Sequence, residues 1–301
     1  MQALFESLVS PFTFEFMQQA FVMVLLLAVP TALLSCFLVL KGWSLMGDAI
    51  SHSVLPGIVI AYVLAIPFAV GAFVAGISCA VCTGYIKEHS RLKEDTVMGI
   101  VFSSMFALGL LLMTKIETDV HLDQILFGDL LGSSWQGIGE VAVVSLLVCS
   151  FMFIKGKDLL LFVFDKQHAQ VMGLSIRFLH YALLSILSIT IVFALKAVGM
   201  ILVITMLITP GAIAFLVTRS FYKMLVISVL VTCTCSFLGI YISFFIDSAP
   251  APTIIMLFSI LFIAVFCYSS LKIKRLSEAK HKRHKKHLTK GSWLGYPCRY
   301  R

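Results

Sequence analysis

Asp48 and His52 stand four residues apart in the run Gly47-Asp48-Ala49-Ile50-Ser51-His52-Ser53-Val54-Leu55-Pro56-Gly57, inside one of the most apolar regions of the chain. On a helix this spacing stacks a carboxylate and an imidazole on one face, within reach of a single ion. One oxygen and one nitrogen donor favour a divalent first-row metal over an alkali ion. Two donors are too few for a tight structural site, which suits a place an ion must also leave. A second reading stands beside this one: Asp48 caps a helix start after Gly47 while His52 bonds a neighbouring carbonyl. The four-residue spacing favours the ligand pair. Pro56 and Gly57 follow at once and loosen the backbone ladder, leaving carbonyls free.

The elements that must hold this pair follow from composition. The chain has 301 residues, of which 60% are hydrophobic and 13% charged, with a mean hydropathy of +1.01. A soluble domain holds about 45–50% apolar and about 25% charged residues. The sequence therefore predicts an all-α polytopic membrane bundle of about eight to nine transmembrane helices, because backbone at membrane depth must satisfy its own hydrogen bonds. An ionisable residue at that depth marks a pathway or site by default. The net charge of +8 is local: residues 272–301 carry eleven of the 23 Lys and Arg, leaving 12 bases against 14 acids before them. The reading is a transmembrane domain over 1–276 and a basic cytoplasmic tail over 277–301, expected to be disordered. No nucleic-acid partner is expected; the lipid membrane is. The first fifteen residues contain Glu6 and Glu15 and no base, so no cleavable signal peptide is expected.

Apolar stretches place spans at about 16–40, 44–66, 68–86, 96–113, 138–154, 178–195, 198–217, 224–246 and 253–271. The basic loops 87–95, 155–177 and 218–223 belong inside, and the acidic 247–252 outside. The mixed stretch 115–137, with Glu117, Asp119, Asp123 and Asp129, suits the outer face or a short re-entrant helix. This bookkeeping makes Asp48 the one intramembrane carboxylate. Lys196, near a span boundary, is expected to snorkel to an interface. Pro210 is expected to break its helix, either lining a path or as a passive kink. Cys79 and Cys82 suit small-residue helix packing better than thiol chemistry. His281, His284 and His287 sit among lysines, which argues for a solvated tail over a metal site.

The stretch 47–57 resembles the signature of the membrane permease subunits of bacterial ABC importers for manganese, iron and zinc. Three further blocks are similar to the same family in its order: Glu94-Asp95-Thr96-Val97-Met98-Gly99-Ile100-Val101-Phe102, Ile125-Leu126-Phe127-Gly128-Asp129-Leu130-Leu131-Gly132, and Ala197-Val198-Gly199-Met200-Ile201-Leu202-Val203-Ile204-Thr205-Met206-Leu207-Ile208-Thr209-Pro210. The resemblance covers about residues 10–276 and leaves the tail beyond Ser277 aside.

That resemblance implies that Asp48 and His52 contribute to the metal site of a translocation path. It also implies a second permease subunit, identical or sister, two cytoplasmic ATPase subunits and an extracytoplasmic metal-binding protein. The chain itself has no phosphate-binding Gly-x-x-x-x-Gly-Lys-Ser/Thr loop, so it is not expected to be an enzyme. No permanently bound cofactor is expected, only transported Mn(II) or Fe(II), and Zn(II) less readily. Mixed oxygen and nitrogen donors without thiolate suit the first two, although partner proteins can also set the substrate. The segment Asp165-Lys166-Gln167-His168-Ala169-Gln170-Val171-Met172-Gly173-Leu174 is similar to the family's coupling segment. Asp165 can cap its start and Gly173 can end it, giving a short cytoplasmic coupling helix. The rival function is an ion-coupled secondary metal transporter working without an ATPase, which would want several intramembrane carboxylates and inverted repeats. An intramembrane metalloprotease would need a His-Glu-x-x-His helix, and none is present.

Overall fold

The computed structural model describes residues 10–116, 128 and 130–291, and everything regular in these is helical. Ten α-helices follow in order: α1 (Glu15–Lys41), α2 (Ser44–Val63), α3 (Phe68–His89), α4 (Glu94–Lys115), α5 (Trp135–Phe164), α6 (Lys166–Val171), α7 (Ile176–Val198), α8 (Met200–Val217), α9 (Phe221–Ile246) and α10 (Pro250–Gly291). Among the described residues nine are long and apolar enough to cross a membrane. The acids at 117, 119, 123 and 129 lie outside the described residues, as do the side chains of His281, His284 and His287. Good helix formers (Lys, Arg, Ala, Leu, Glu) fill the basic run, and the α10 backbone carries on through it to Gly291.

Short connectors fix how successive helices leave one another. Gly42, in the left-handed region at φ 73°, ends α1, and Trp43 N–H returns to Leu38 O at 2.8 Å. Two residues later α2 begins. Gly199 alone joins α7 to α8. Helix α1 is the hub: Ala20, Val24, Ala28, Leu34, Cys36 and Leu38 are fully buried, and α5, α7, α8 and α9 pack around it. A second group forms where α2 lies between α3 and α4, and α2 also meets α7 and α8.

Three expectations change in the folded chain. The charged residues Lys155, Lys157 and Asp158 do not open a loop, because α5 continues to Phe164. Lys155 and Asp158 pair across one turn at 3.1 Å, so the charges ride on a helix surface. Pro56 does not interrupt α2, which runs on to Val63. Pro210 does not break α8 into two helices either. Ser35 Oγ of α1 accepts the Gly211 N–H at 2.9 Å and donates to Ile208 O at 3.3 Å, meeting backbone groups around the proline. Pro210 is buried in this packing, inside a helix that runs unbroken from Met200 to Val217.

Candidate metal centre

Helix α2 starts at Ser44 with Trp43 before it, so Asp48 sits inside the second turn and caps nothing. Its capping role falls. Leu45, Asp48 and His52 form one stripe of partly exposed side chains, while Met46, Ala49, Ile50 and Ser51 between them, and Ser53 just beyond, are buried. Ser51 and Ser53 spend their hydroxyls on Gly47 O and Ile50 O, both at 2.8 Å, within their own helix. Those serines keep the helix wall intact and offer no donor to the stripe.

Asp48 Oδ1 and His52 Nε2 face each other at 3.4 Å, with about a quarter of each side chain exposed (27% and 26%). This is long for a hydrogen bond. Two donors each about 2.1 Å from one ion, at tetrahedral to octahedral angles, stand roughly 3.0–3.4 Å apart. The pair therefore has the spacing one divalent ion needs to bridge it. His52 Nδ1 is buried with no partner among the described residues, so the expected bond to a carbonyl is not made either.

The ring is held by helix α4. Phe102 stacks on it at 5.6 Å between centroids and Phe106 meets it edge-on at 5.0 Å. Gly109, one turn further along α4, lies against Leu55 and Pro56, so α4 seats close to α2 just past the pair. Sequence reasoning missed both phenylalanines, since some fifty residues separate them from His52. No third His, Cys, Asp or Glu joins the pair among the described residues.

The segment expected to couple to an ATPase lies elsewhere, on α6, which packs on α5 and α7. Asp165 Oδ1 accepts from Gln167 N–H at 2.9 Å and His168 N–H at 3.0 Å, capping the helix. Gly173 at φ 79° ends it, with Leu174 N–H returning to Ala169 O at 3.1 Å. Ala169 is buried and Leu174 packs on the core, whereas Lys166, Gln167, His168, Gln170, Val171 and Met172 are exposed.

Glu140 on α5 also escaped notice. Its Oε2 pairs with Lys196 Nζ of α7 at 3.0 Å beside a cavity of 330 Å³ lined by Ser133, Ser134 and Gln136. Asp48 is thus not the sole carboxylate within a membrane-length helix, and Lys196 does more than reach for an interface.

The model of the ABC 3 transport family matches residues 13–269. The chain belongs to this family. As an ABC 3 permease it is a multi-pass membrane subunit, and ATP hydrolysis resides on a separate component of the transporter. It is 53% identical over 272 residues to the chelated iron transport system membrane protein YfeD of Yersinia pestis, covering 90% of this chain and 92% of that one. It is 46% identical over 256 residues to the manganese transport system membrane protein MntB of Synechocystis sp., covering 85% and 84%. Among solved structures, PsaBC from Streptococcus pneumoniae in complex with Fab superposes with a TM-score of 0.78 at 35% identity, over 88% of this chain and 95% of that one.

Proposed function

We propose that this ABC 3 permease carries Mn(II) or Fe(II), with Zn(II) less well suited, into the cytoplasm by alternating access past Asp48 and His52. The observation that carries the reading is the 3.4 Å gap between Oδ1 and Nε2 on a partly exposed stripe. The iron and manganese systems to which the relatives belong support the choice of metal. The setting is the bacterial cytoplasmic membrane, with the positive-inside bias putting α6 and the basic run of α10 on the inner side. A second permease subunit, identical or sister, two ATPase subunits under α6 and an extracytoplasmic metal-binding protein complete the assembly. ATP-driven closure of the ATPases displaces α6 and tilts the bundle, and the pair exchanges outward for inward exposure.

The test is uptake of radioactive manganese and iron in a strain lacking other importers. Asp48→Ala and His52→Ala should each abolish ATP-dependent uptake while the importer still assembles. Unchanged uptake by either variant would remove the site from the path.

A further inference from the structure

The last residue of α1 is a lysine with an unusual seat. Lys41 Nζ donates to Phe162 O, in the last turn of α5, at 3.2 Å and lies 4.1 Å from the centroid of the same residue's ring. The Trp43 ring stands 5.8 Å from the same ammonium. Lys166, the first residue of α6, approaches the Phe162 ring at 6.0 Å. Phe162 is fully buried. Trp43 and Phe162 both meet the His180 ring of α7 edge-on, at 5.2 and 6.3 Å. Among the described residues no carboxylate pairs with Lys41. A carbonyl and aromatic faces hold this cation, which are directional and weaker partners than a carboxylate.

The sequence distances are short on both sides of this joint. Phe162 precedes the α6 cap Asp165 by three residues. Lys41 precedes the first residue of α2 by three, and Asp48 lies one turn into α2. Gly42 and Trp43 form a turn whose N–H groups return to Val39 O and Leu38 O, so it cannot absorb much displacement. We propose that Lys41 is a positioning residue that carries movement of α6, through Phe162, into the start of α2 and thus to Asp48 and His52. The proposal rests on the reading that α6 meets the ATPase. The bland alternative is a lysine that only satisfies the carbonyl end of α5.

The experiment uses the whole importer in proteoliposomes, permease with its ATPase and extracytoplasmic binding protein, and reads Mn(II) imported per ATP hydrolysed. Lys41→Met keeps the apolar stem and removes both charge and donor. It should lower the ratio about tenfold, a typical size for a coupling between two sites, and Lys41→Arg should recover most of it. Lys166→Met, which removes the more distant cation from the Phe162 ring, should lower the ratio by about threefold and serves if Lys41→Met does not fold. A ratio unchanged in Lys41→Met, or in Lys166→Met where Lys41→Met does not fold, would overturn the proposal, as would uptake and hydrolysis falling in equal proportion. Val171→Asp, at an exposed apolar position of α6 (84%), separates the two levels. If it leaves the ATPase bound and stimulated, the docking role of α6 falls. If it releases the ATPase while Lys41→Met keeps the full ratio, only the role of Lys41 falls.

Discussion

Gly57 on α2 and Gly71 on α3 meet backbone to backbone: a Cβ on either would run into the carbonyl of the other. This crossing sets how α2 lies against α3, one and a half turns beyond His52. Close approach of this kind gives van der Waals contact that membrane helices use in place of a hydrophobic drive. Gly57→Ala should therefore destabilise the permease by about 1–3 kcal/mol through overpacking. Gly99→Ala, inside α4 where nothing lies within 4 Å of the added carbon, should not destabilise and should gain up to about 1 kcal/mol of helix propensity. Thermal unfolding of the purified protein in detergent compares the two.

Phe106 touches His52 edge-on, and such a contact is worth about 0.5–1.5 kcal/mol. Phe106→Ala should free the ring to turn away from Asp48. The expected outcome is a few-fold weaker Mn(II) binding, measured by titration, with little change in the amount of folded protein.

Ser35 bonds the backbone on both sides of Pro210, at Ile208 O and the Gly211 N–H. Ser35→Ala leaves the Gly211 N–H and Ile208 O without their inter-helix partner and should cost about 1–2 kcal/mol. Pro210→Ala restores an intrahelical donor, so the double variant should lose less than the sum of the two single ones. Unfolding temperatures of the four proteins give the cycle.

Helix α6 has six residues, too few to hold itself without its caps. Asp165→Ala should cost about 1 kcal/mol of local stability. Gly173→Ala forces a side chain into the left-handed region, at about the same cost. Both should lower the ATPase activity elicited by the assembled permease, and hydrogen exchange over 165–174 should speed up first.

Much of this was legible in the chain, and the exceptions have physical causes. Apolar runs long enough for a bilayer announce helices whatever their neighbours, so the nine membrane-length segments and the stripe of Asp48 and His52 were readable. The reach of α5 was not, because Lys155 and Asp158 look like a loop until helical spacing pairs them. Whether Asp48 caps a helix turned on where α2 begins, and helix starts are set within a residue or two. Pro210 stayed ambiguous because its partner, Ser35, is 175 residues away. Phe106 was invisible for the same reason, since its meaning lies in another helix; Glu140 stood in plain view within 138–154, and only its pairing with Lys196 needed the fold.

The two-donor seat on α2 has a consequence for traffic. A cation resting there from this chain alone surrenders only part of its hydration shell, since neighbouring acids and imidazoles among the described residues supply no further donor. On the proposed reading, water or a facing subunit would fill the remaining positions. Shallow residence of this sort, if Asp48 and His52 hold the ion as proposed, would set throughput by the opening and shutting of the passage, and would let the carrier discharge its cargo against the gradient without prising it from a deep well.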